Sequence, residues 1–354
     1  MTDPHPYARL TPDVVLNALE SVGLRCDGRL LALNSYENRV YQVGLEDDSG
    51  AASLVVAKFY RPARWTDAQI LEEHAFALEL AAAEIPVVAP LAFGGRTLLE
   101  SGGFRVAVFP RRGGRAPELE DPATLEWLGR FIGRIHAVGA SRPFAHRPRI
   151  DIASFGEEPR DFVLGGGFIP RELVEPWRQA AALALEGVRH AFDRAGKFAA
   201  LRLHGDCHAG NVLWTPVGVR PRSLASRGDS HLGPDPGFDG GPHFVDLDDA
   251  RMGPAVQDLW MLVSGDRDTM GRQLGMILKG YEDFAEFDDR ELNLLEALRT
   301  LRLIHYSAWL ARRWDDPAFP INFPFFATPR YWQDRVLELR EQIALMQEPP
   351  IVPA

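Results

Sequence analysis

The sequence predicts an α+β fold with two lobes, a small N-terminal lobe that combines an antiparallel sheet with a helix, and a larger, mainly helical C-terminal lobe. Short, apolar and partly alternating segments dominate residues 1–110, which is the pattern of antiparallel strands. Apolar residues spaced by three and four positions dominate residues 111–354, which is the pattern of helices. A run of Pro, Arg and Gly at 110–115 separates the two patterns. A length of 354 residues suits two lobes.

The small lobe begins with an amphipathic helix over residues 11–23. Thr11 is suited to cap this helix and Pro12 to occupy its first turn. Branched and aromatic residues then predict strands, interrupted by one helix from about Asp67 to Ala83. The predicted strands are 30–33, 39–43, 54–60, 87–93 and 104–109.

The large lobe is predicted to open with a helix that runs from Asp121 through His136, where apolar residues form one stripe. Further helices are predicted at 171–195, 289–314 and 330–346, and strands at 212–214 and 243–246. Residues 216–242 are rich in Gly, Pro, Ser and Asp, and are predicted to form a long surface loop.

The amino-acid composition is typical of a globular protein that does not bind nucleic acid or membranes. Hydrophobic content of 46% and charged content of 25% are typical of soluble globular proteins. No apolar run reaches the roughly 20 residues that span a bilayer. The net charge of −10 argues against nucleic-acid and anionic-membrane partners. Two distant cysteines favour a reducing, cytoplasmic compartment, where a disulfide is not expected.

The stretch from His204 to Trp214 carries the most specific signal. Asp206 and Asn211 are five residues apart, the offset between the catalytic Asp and the metal-binding Asn of protein kinases. Downstream, Asp246 follows an apolar pair that suits a strand. Oxygen ligands of this kind bind Mg²⁺, so we expect Asp206 to act as a base and Asn211 with Asp246 to hold the metal. A Zn²⁺ site built on the two nearby histidines is the weaker alternative.

Lys58 lies in the run Val56-Ala57-Lys58, and a strand lysine of this kind contacts the α and β phosphates of ATP in kinases. Such a lysine needs a carboxylate from the following helix. Glu72 and Glu73 both qualify, and we favour Glu73 because it shares a face with Ile70 and Phe76. Two solvated glutamates remain the alternative.

Several other polar residues have open assignments. Ser35 lies in the glycine-free turn 34–39, which either covers the phosphates of ATP or is an ordinary polar turn. His208 is a candidate contact for the transferred phosphate. Asp248 or Asp249 is a candidate to assist the metal, and Asp258 either caps a helix or hydrogen-bonds the catalytic loop.

Taken in order, Lys58, the pattern H-G-D-x-H-x-x-N at 204–211 and Asp246 resemble the aminoglycoside phosphotransferase and choline kinase superfamily, which has the bilobal protein-kinase-like fold. The strings at 33–41, 56–62, 70–74 and 244–251 are similar to the bacterial stress response kinase A family, and the resemblance covers nearly the whole chain. It implies a monomeric, cytoplasmic serine/threonine protein kinase that uses ATP and Mg²⁺, autophosphorylates and serves stress survival. It also implies that Ser35 lies at the ATP site, Asp206 accepts the proton, and Asn211 with Asp246 binds Mg²⁺. The 216–242 segment is longer than expected for the family.

Three functions follow from these observations. The first is phosphorylation of protein Ser/Thr residues, including the chain itself. The second is phosphorylation of an amino alcohol or aminoglycoside, for which the aromatic residues of 302–314 would line a pocket instead of the core. The third is a pseudokinase scaffold that binds ATP, against which the intact Lys58, Asp206, Asn211 and Asp246 argue.

Overall fold

The computed structural model describes residues 5–46, 53–215 and 241–354. In chain order its strands are β1 (Cys26–Leu33), β2 (Arg39–Leu45), β3 (Ser53–Phe59), β4 (Leu99–Ser101), β5 (Phe104–Pro110), β6 (Leu201–Leu203), β7 (Val212–Thr215), β8 (Gly241–Phe244) and β9 (Arg251–Gly253). Its α-helices are α1 (Pro12–Glu20), α2 (Asp67–Ala82), α3 (Pro122–Gly139), α4 (Glu158–Gly165), α5 (Val174–Ala195), α6 (Val256–Trp260), α7 (Arg267–Tyr281), α8 (Leu295–Ala311), α9 (Ala318–Asn322) and α10 (Pro329–Leu345). An α+β fold with a five-stranded antiparallel sheet and many helices confirms the predicted fold class.

The chain forms two compact units. The first takes residues 1–118, 145–147 and 208–249, and the second takes residues 119–144, 148–207 and 250–354. Each unit therefore contains separate stretches of chain. The division into lobes at residues 110 and 111 stays a prediction.

The first unit is built on an antiparallel sheet with the strand order β1-β2-β3-β5-β4. Apolar residues of its inner strands, such as Val43, Val55 and Val106, are fully buried and pack with Val15 and Leu19 of α1. Side chains alternate between the faces of a strand, so β3 can bury Val55, Ala57 and Phe59 on this side. A short antiparallel pair, β7 with β8, belongs to the same unit.

Helix α2 begins where Thr66 and Gln69 form a reciprocal capping box. Its buried face includes Ile70, Phe76 and Leu80, the apolar stripe seen in the sequence. Glu73 and His74 are also on this buried face. The helix therefore brings a carboxyl group into the interior of the unit.

The predicted strand at 87–93 is wrong. Pro86 and Pro90 have no N–H to donate, which disfavours a continuous ladder. Among the described residues this segment forms only single bridges, from Val87 to Phe244 and from Phe93 to Arg96. Strand β4 instead pairs with β5 at the edge of the sheet.

The second unit is mainly helical. The predicted helices at 121–136, 171–195 and 330–346 match α3, α5 and α10, and the predicted helix at 289–314 is divided into a 3₁₀ turn, Asp289–Leu294, and α8. Helices α4 and α7 and the short pair β6 with β9 were not predicted. The sequence patterns missed the short pair because three-residue strands show no alternation. No helix in the described ranges is long and apolar enough to cross a membrane.

Helices α3 and α7 approach each other so closely that only glycine fits at two positions of α3. A Cβ atom on Gly129 would lie 1.9 Å from the backbone oxygen of Ile277, and one on Gly133 would lie 2.5 Å from that of Tyr281. A backbone atom cannot rotate away as a side chain can. These glycines therefore set the distance between the two helices.

The predicted loop at 216–242 falls mostly on residues 216–240, which lie outside the described residues, as do Ser223, Ser226 and Ser230. Residues 241 and 242 belong to β8.

We predict that Gly129→Ala lowers the free energy of unfolding by about 1–3 kcal/mol, because overpacking against the Ile277 backbone outweighs the better helix propensity of alanine. Urea unfolding followed by circular dichroism measures this change. Gly165→Ala in α4 is the matched control, because its added Cβ has no neighbour within 4 Å beyond the adjoining residues and backbone of its own helix. Equal stability of the two variants would show that α3 and α7 do not depend on this contact.

Candidate active site

Lys58 lies near the end of β3, where Val40 and Ala107 pair with it from the neighbouring strands. Its ammonium Nζ donates to Asp246 Oδ1 at 2.6 Å and lies 3.4 Å from Asp248 Oδ1. Its side chain is 7% exposed. Burial alone would lower the pKa of this ammonium, but the two carboxylates outweigh it and hold the pKa well above its usual range. Lys58 is therefore a buried cation held between two carboxylates.

Asp246 follows β8 and has a left-handed backbone, with φ of 60°. This conformation costs a residue with a side chain about 1–2 kcal/mol, less for Asp, and is found where a structure needs an unusual side-chain direction. The side chain is 52% exposed although it pairs with the buried Lys58. Asp246 is thus accessible to solvent while it contacts the buried ammonium of Lys58.

Asn211 closes a 3₁₀ turn, Ala209–Asn211, that precedes β7. Its backbone oxygen accepts a hydrogen bond from Val245 at 3.0 Å, so it is held beside the residue that precedes Asp246. The structure therefore brings Lys58, Asn211 and Asp246 together within the first unit.

Asn211 and Asp246 offer a carboxamide and a carboxylate, an oxygen-only pair that suits Mg²⁺ better than Zn²⁺, whose protein sites are mostly built on Cys and His. Within the described ranges, no three His, Cys, Asp or Glu side chains form a cluster that would hold a metal by themselves. Mg²⁺ sites in phosphoryl-transfer enzymes commonly use one or two protein ligands and complete the shell with substrate phosphates and water. The two residues fit that kind of site.

Asp248, two residues further on, is a buried carboxylate surrounded by Lys58, Arg64 and Asn38. Arg64 and Asn38 both donate to its Oδ2, the latter at 3.1 Å, and Lys58 lies beside its other oxygen. Burial raises the pKa of Asp248, but Arg64 and then Lys58 outweigh it and leave that pKa below its usual value. The carboxylate is 4% exposed and bonded to protein groups, so it organises the surroundings of the candidate metal ligands.

Arg64 and Arg147 complete this network. Arg64 donates to both oxygens of Asp249 at 2.8 and 3.0 Å, and Arg147 donates to the backbone oxygens of Leu247 and Asp248. Neither arginine was identified from the sequence, nor was Asn38. Their partners lie about 100–210 positions away in the chain, and no local pattern marks such a pairing.

The turn at 34–39 is tied to Asp248 through Asn38. The carboxamide oxygen of Asn38 accepts from the backbone of Arg61 at 3.0 Å while its nitrogen donates to Asp248. Ser35, the predicted ATP contact, donates its hydroxyl to the Asn38 backbone oxygen at 3.1 Å. The turn is therefore an ordered element linked to the Lys58 cluster.

The two candidate glutamates of α2 have different surroundings. The Glu72 carboxylate accepts from the backbone amides of Ala145, His146 and Arg147 at 2.5–2.8 Å. Glu73 is 2% exposed, and its Oε2 has no hydrogen-bond partner in the described part of the chain. Within the described residues, neither glutamate forms an ion pair with Lys58, whose partners are Asp246 and Asp248.

Asp258 in α6 anchors the segment that precedes Asp206. Its two carboxylate oxygens accept from the backbone N–H groups of His204 and Gly205, both at 2.8 Å. His136 of α3 lies 3.1 Å from the same carboxylate and 3.0 Å from the Tyr281 hydroxyl. Of the two roles considered for Asp258, the structure therefore shows the contact with the catalytic loop.

Asp206 and His208 belong to different units, Asp206 to the second and His208 to the first. Asp206 Oδ1 accepts from Arg302 of α8 at 2.6 Å. His208 accepts from the backbone of Gly210 at 3.0 Å and so caps the turn that leads to Asn211. Arg302 was not identified from the sequence as a partner of Asp206.

The aromatic residues Trp309 of α8 and Trp314, three residues after α8 ends, take part in core packing. Trp309 contacts Phe319 and Phe323 at ring-centroid distances of 5.0 and 5.6 Å, and Trp314 contacts Phe326 at 4.8 Å. These contacts favour the core interpretation over an aromatic pocket.

Comparison with known proteins gives a consistent family. The model of the "Phosphotransferase enzyme family" matches residues 29–221. Stress response kinase A of Salmonella choleraesuis (strain SC-B67) is 45% identical over 98% of this chain and 96% of its own. A protein of Salmonella typhimurium named serine/threonine protein kinase RdoA is 44% identical with the same coverage.

Solved structures show the same fold at low sequence identity. An amicoumacin kinase in complex with AMP-PNP, Ca²⁺ and Ami has a TM-score of 0.65 at 18% identity, covering 96% of this chain and 95% of that one. A microcompartment-associated aminopropanol kinase has a TM-score of 0.63 at 18% identity, covering 95% and 97%. The kinase-like fold that the sequence predicts is thereby confirmed.

We predict opposite pH effects at the adjacent glutamates of α2. Burial raises the pKa of Glu73 from its usual 4.5 to about 7, against the lowering influence of Lys58. Between these values the folded protein binds a proton that the unfolded chain has lost, so stability falls as pH rises through this window. Glu73→Gln removes the titration, so its free energy of unfolding should increase relative to wild type from about pH 4.5 to 7.

Glu72→Gln is the matched control. Burial raises the pKa of Glu72, but the three backbone amides outweigh it and lower that pKa below 4.5. Its contribution is present above pH 4.5 and is lost as pH falls, so this variant should be destabilised at pH 7 and approach wild type in acid. Urea unfolding across pH 4–8 tests both, and parallel curves for wild type and Glu73→Gln would contradict the buried-proton assignment.

Proposed function

Because the chain belongs to the phosphotransferase enzyme family, and within it to the stress response kinase A family, we propose that it is an ATP- and Mg²⁺-dependent serine/threonine protein kinase. The observation that carries the proposal is the grouping of Lys58, Asn211 and Asp246 in one unit, where the buried cation pairs with Asp246 and the Asn211 backbone is bonded to Val245, next to Asp246. ATP and its metal need this combination of a cation for phosphates and oxygens for Mg²⁺.

Each residue of the cluster has a role in binding nucleotide. Lys58 would exchange its contact with Asp246 for the α and β phosphates, and Ser35 with the amides of its turn would contact phosphate oxygens. Asn211 and Asp246 would hold Mg²⁺, which neutralises developing charge on the phosphates when bound. Glu73 would support Lys58 from α2 once phosphates draw the lysine away from the aspartates.

Asp206 is proposed to orient the acceptor and take its proton. The acceptor hydroxyl oxygen forms a bond to the γ-phosphorus, and the bond from that phosphorus to the bridging oxygen of ATP breaks. The bond electrons leave with ADP, and the hydroxyl proton passes to the Asp206 carboxylate. His208 is proposed to lie near the transferred phosphoryl group, and its contact with the Gly210 backbone orients its ring.

A protein acceptor is supported by the relatives. One protein that is 44% identical over 98% of this chain carries the name serine/threonine protein kinase. The name stress response kinase A, carried by a relative that is 45% identical, supports a role in bacterial stress response. Autophosphorylation, a monomeric state and a cytoplasmic location are further parts of the proposal. Ser223, Ser226 and Ser230 are candidate phosphosites.

A small-molecule acceptor is the second candidate. It is supported by the fold, which is shared with an aminopropanol kinase over almost the whole chain. An amino alcohol is cationic at neutral pH and would need carboxylates or aromatic faces for recognition. Both candidates use the same nucleotide cluster, so they differ only in what accepts the phosphate.

We predict that the purified chain incubated with [γ-³²P]ATP and Mg²⁺ labels itself or a generic protein substrate, and that Asp206→Asn reduces the rate at least about 100-fold, the size of a general-base contribution. Gel autoradiography and mass spectrometry of phosphosites measure the outcome. Consumption of ATP with an amino alcohol or aminoglycoside, without protein labelling, would replace the protein-kinase proposal by the second candidate. Binding of ATP without consumption in the presence of any acceptor would instead indicate a scaffold.

We predict that Asn211→Ala and Asp246→Ala each weaken Mg²⁺-dependent binding of AMP-PNP by about ten-fold or more, because each removes one oxygen ligand. Isothermal titration with and without Mg²⁺ separates the metal from direct contacts. Asn293→Ala removes a half-buried carboxamide in the second unit and should leave both titrations unchanged. Unaltered Mg²⁺ dependence in both site variants would refute the metal assignment.

A further inference from the structure

Arg302 is the residue of α8 that contacts the proposed catalytic base. Its Nη1 donates to Asp206 Oδ1 at 2.6 Å, and its side chain is 44% exposed while that of Asp206 is 23% exposed. Both residues belong to the second unit. An acceptor hydroxyl that reaches the Asp206 carboxylate must therefore approach an accessible guanidinium group.

A second arginine lies in the same unit, connected to α8 through two rings. Phe155 stacks on His305 of α8 at a centroid distance of 4.4 Å, and the guanidinium of Arg251 lies 5.0 Å from the Phe155 ring. His305 is one turn after Arg302 on α8, so the two are neighbours on the helix surface. Arg251 belongs to β9, which pairs with Leu203 three residues before Asp206. Both α8, which contacts Asp206, and β9, which pairs with the strand before Asp206, thus carry an arginine.

This local charge is opposite to that of the chain as a whole, which carries a net charge of −10. Recognition of an amine would call for carboxylates around the acceptor, since like charges close together are unfavourable. A cationic acceptor would face Arg302 at the point where its hydroxyl meets Asp206. An anionic group would gain the planar, two-pronged donor that guanidinium offers to carboxylates.

We propose that Arg302 is a specificity-determining residue that selects protein segments with an acidic side chain next to the phosphorylated Ser or Thr. The inference deepens the proposed protein-kinase function and rests on it. A carboxylate of the bound segment becomes the partner of the guanidinium, in place of Asp206, while the hydroxyl becomes the partner of Asp206. The ion pair with Arg302 thus holds the base in position until an acceptor of matching charge arrives.

The test compares two peptides that differ only in whether aspartates or lysines flank a single serine. The wild-type chain should phosphorylate the acidic peptide with a kcat/KM at least about five-fold higher, the size of an ion pair worth about 1 kcal/mol. Arg302→Glu should reverse the preference. Arg312→Glu, an exposed arginine at the end of the same helix that stacks on Phe162, is the charge-matched control and should keep the wild-type preference.

Binding is measured separately, because Arg302→Glu places a carboxylate beside Asp206 and is expected to slow turnover. Fluorescence anisotropy of peptides with alanine in place of the serine, in the presence of AMP-PNP and Mg²⁺, should show the same reversal. Equal binding of both peptides, no measurable binding of the acidic one, or an acidic preference that persists in Arg302→Glu would overturn the inference.

Failure of the underlying proposal has a different signature. If protein and peptide are never labelled but a small alcohol is, the protein-kinase proposal fails in the labelling experiment, and the inference falls with it. If proteins are labelled without any preference for acidic peptides, only the role of Arg302 is wrong.

Discussion

The first unit depends on one buried carboxylate, that of Asp248. It joins the turn at 34–39 through Asn38, the sheet through Lys58 and the segment before α2 through Arg64. Removal of one partner from a buried ion pair typically costs about 3–5 kcal/mol, because an uncompensated charge remains inside the protein. Groups that are far apart in sequence are therefore held in place before any ligand is bound.

The carboxylate that holds the unit together is a different one from the carboxylate that is available to bind a ligand. Asp248 is enclosed, whereas Asp246 is half exposed although both carboxylates contact Lys58. The exposed partner is the one that can exchange its contact for a metal or phosphate without exposing the buried charges. Two aspartates with only one residue between them thus have different roles. Asp248 organises the unit because it is buried, and Asp246 is available to a ligand because it is half exposed.

The parts of the molecule that sequence patterns could predict are those with a local signature. Periodicity predicts α2 and α5, and the spacing of Asp206, Asn211 and Asp246 indicates phosphoryl transfer. Patterns failed where tertiary contacts decide the structure, as at residues 87–93, where prolines prevent a ladder that the apolar run suggests, and at β6 and β9, which are too short to show alternation. Arg64 and Arg302 were missed because their partners lie 184 and 96 positions away.

The left-handed backbone at Asp246 has a consequence for how inactive forms of this enzyme are made. Asparagine tolerates this conformation better than alanine, for which it is disfavoured by about 1–2 kcal/mol. Replacement by alanine would therefore combine loss of a ligand with relaxation of the local chain, which also carries Asp248. An asparagine at this position would keep the backbone path and remove only the charge, and is the better choice for trapping a bound acceptor in a complex that does not turn over.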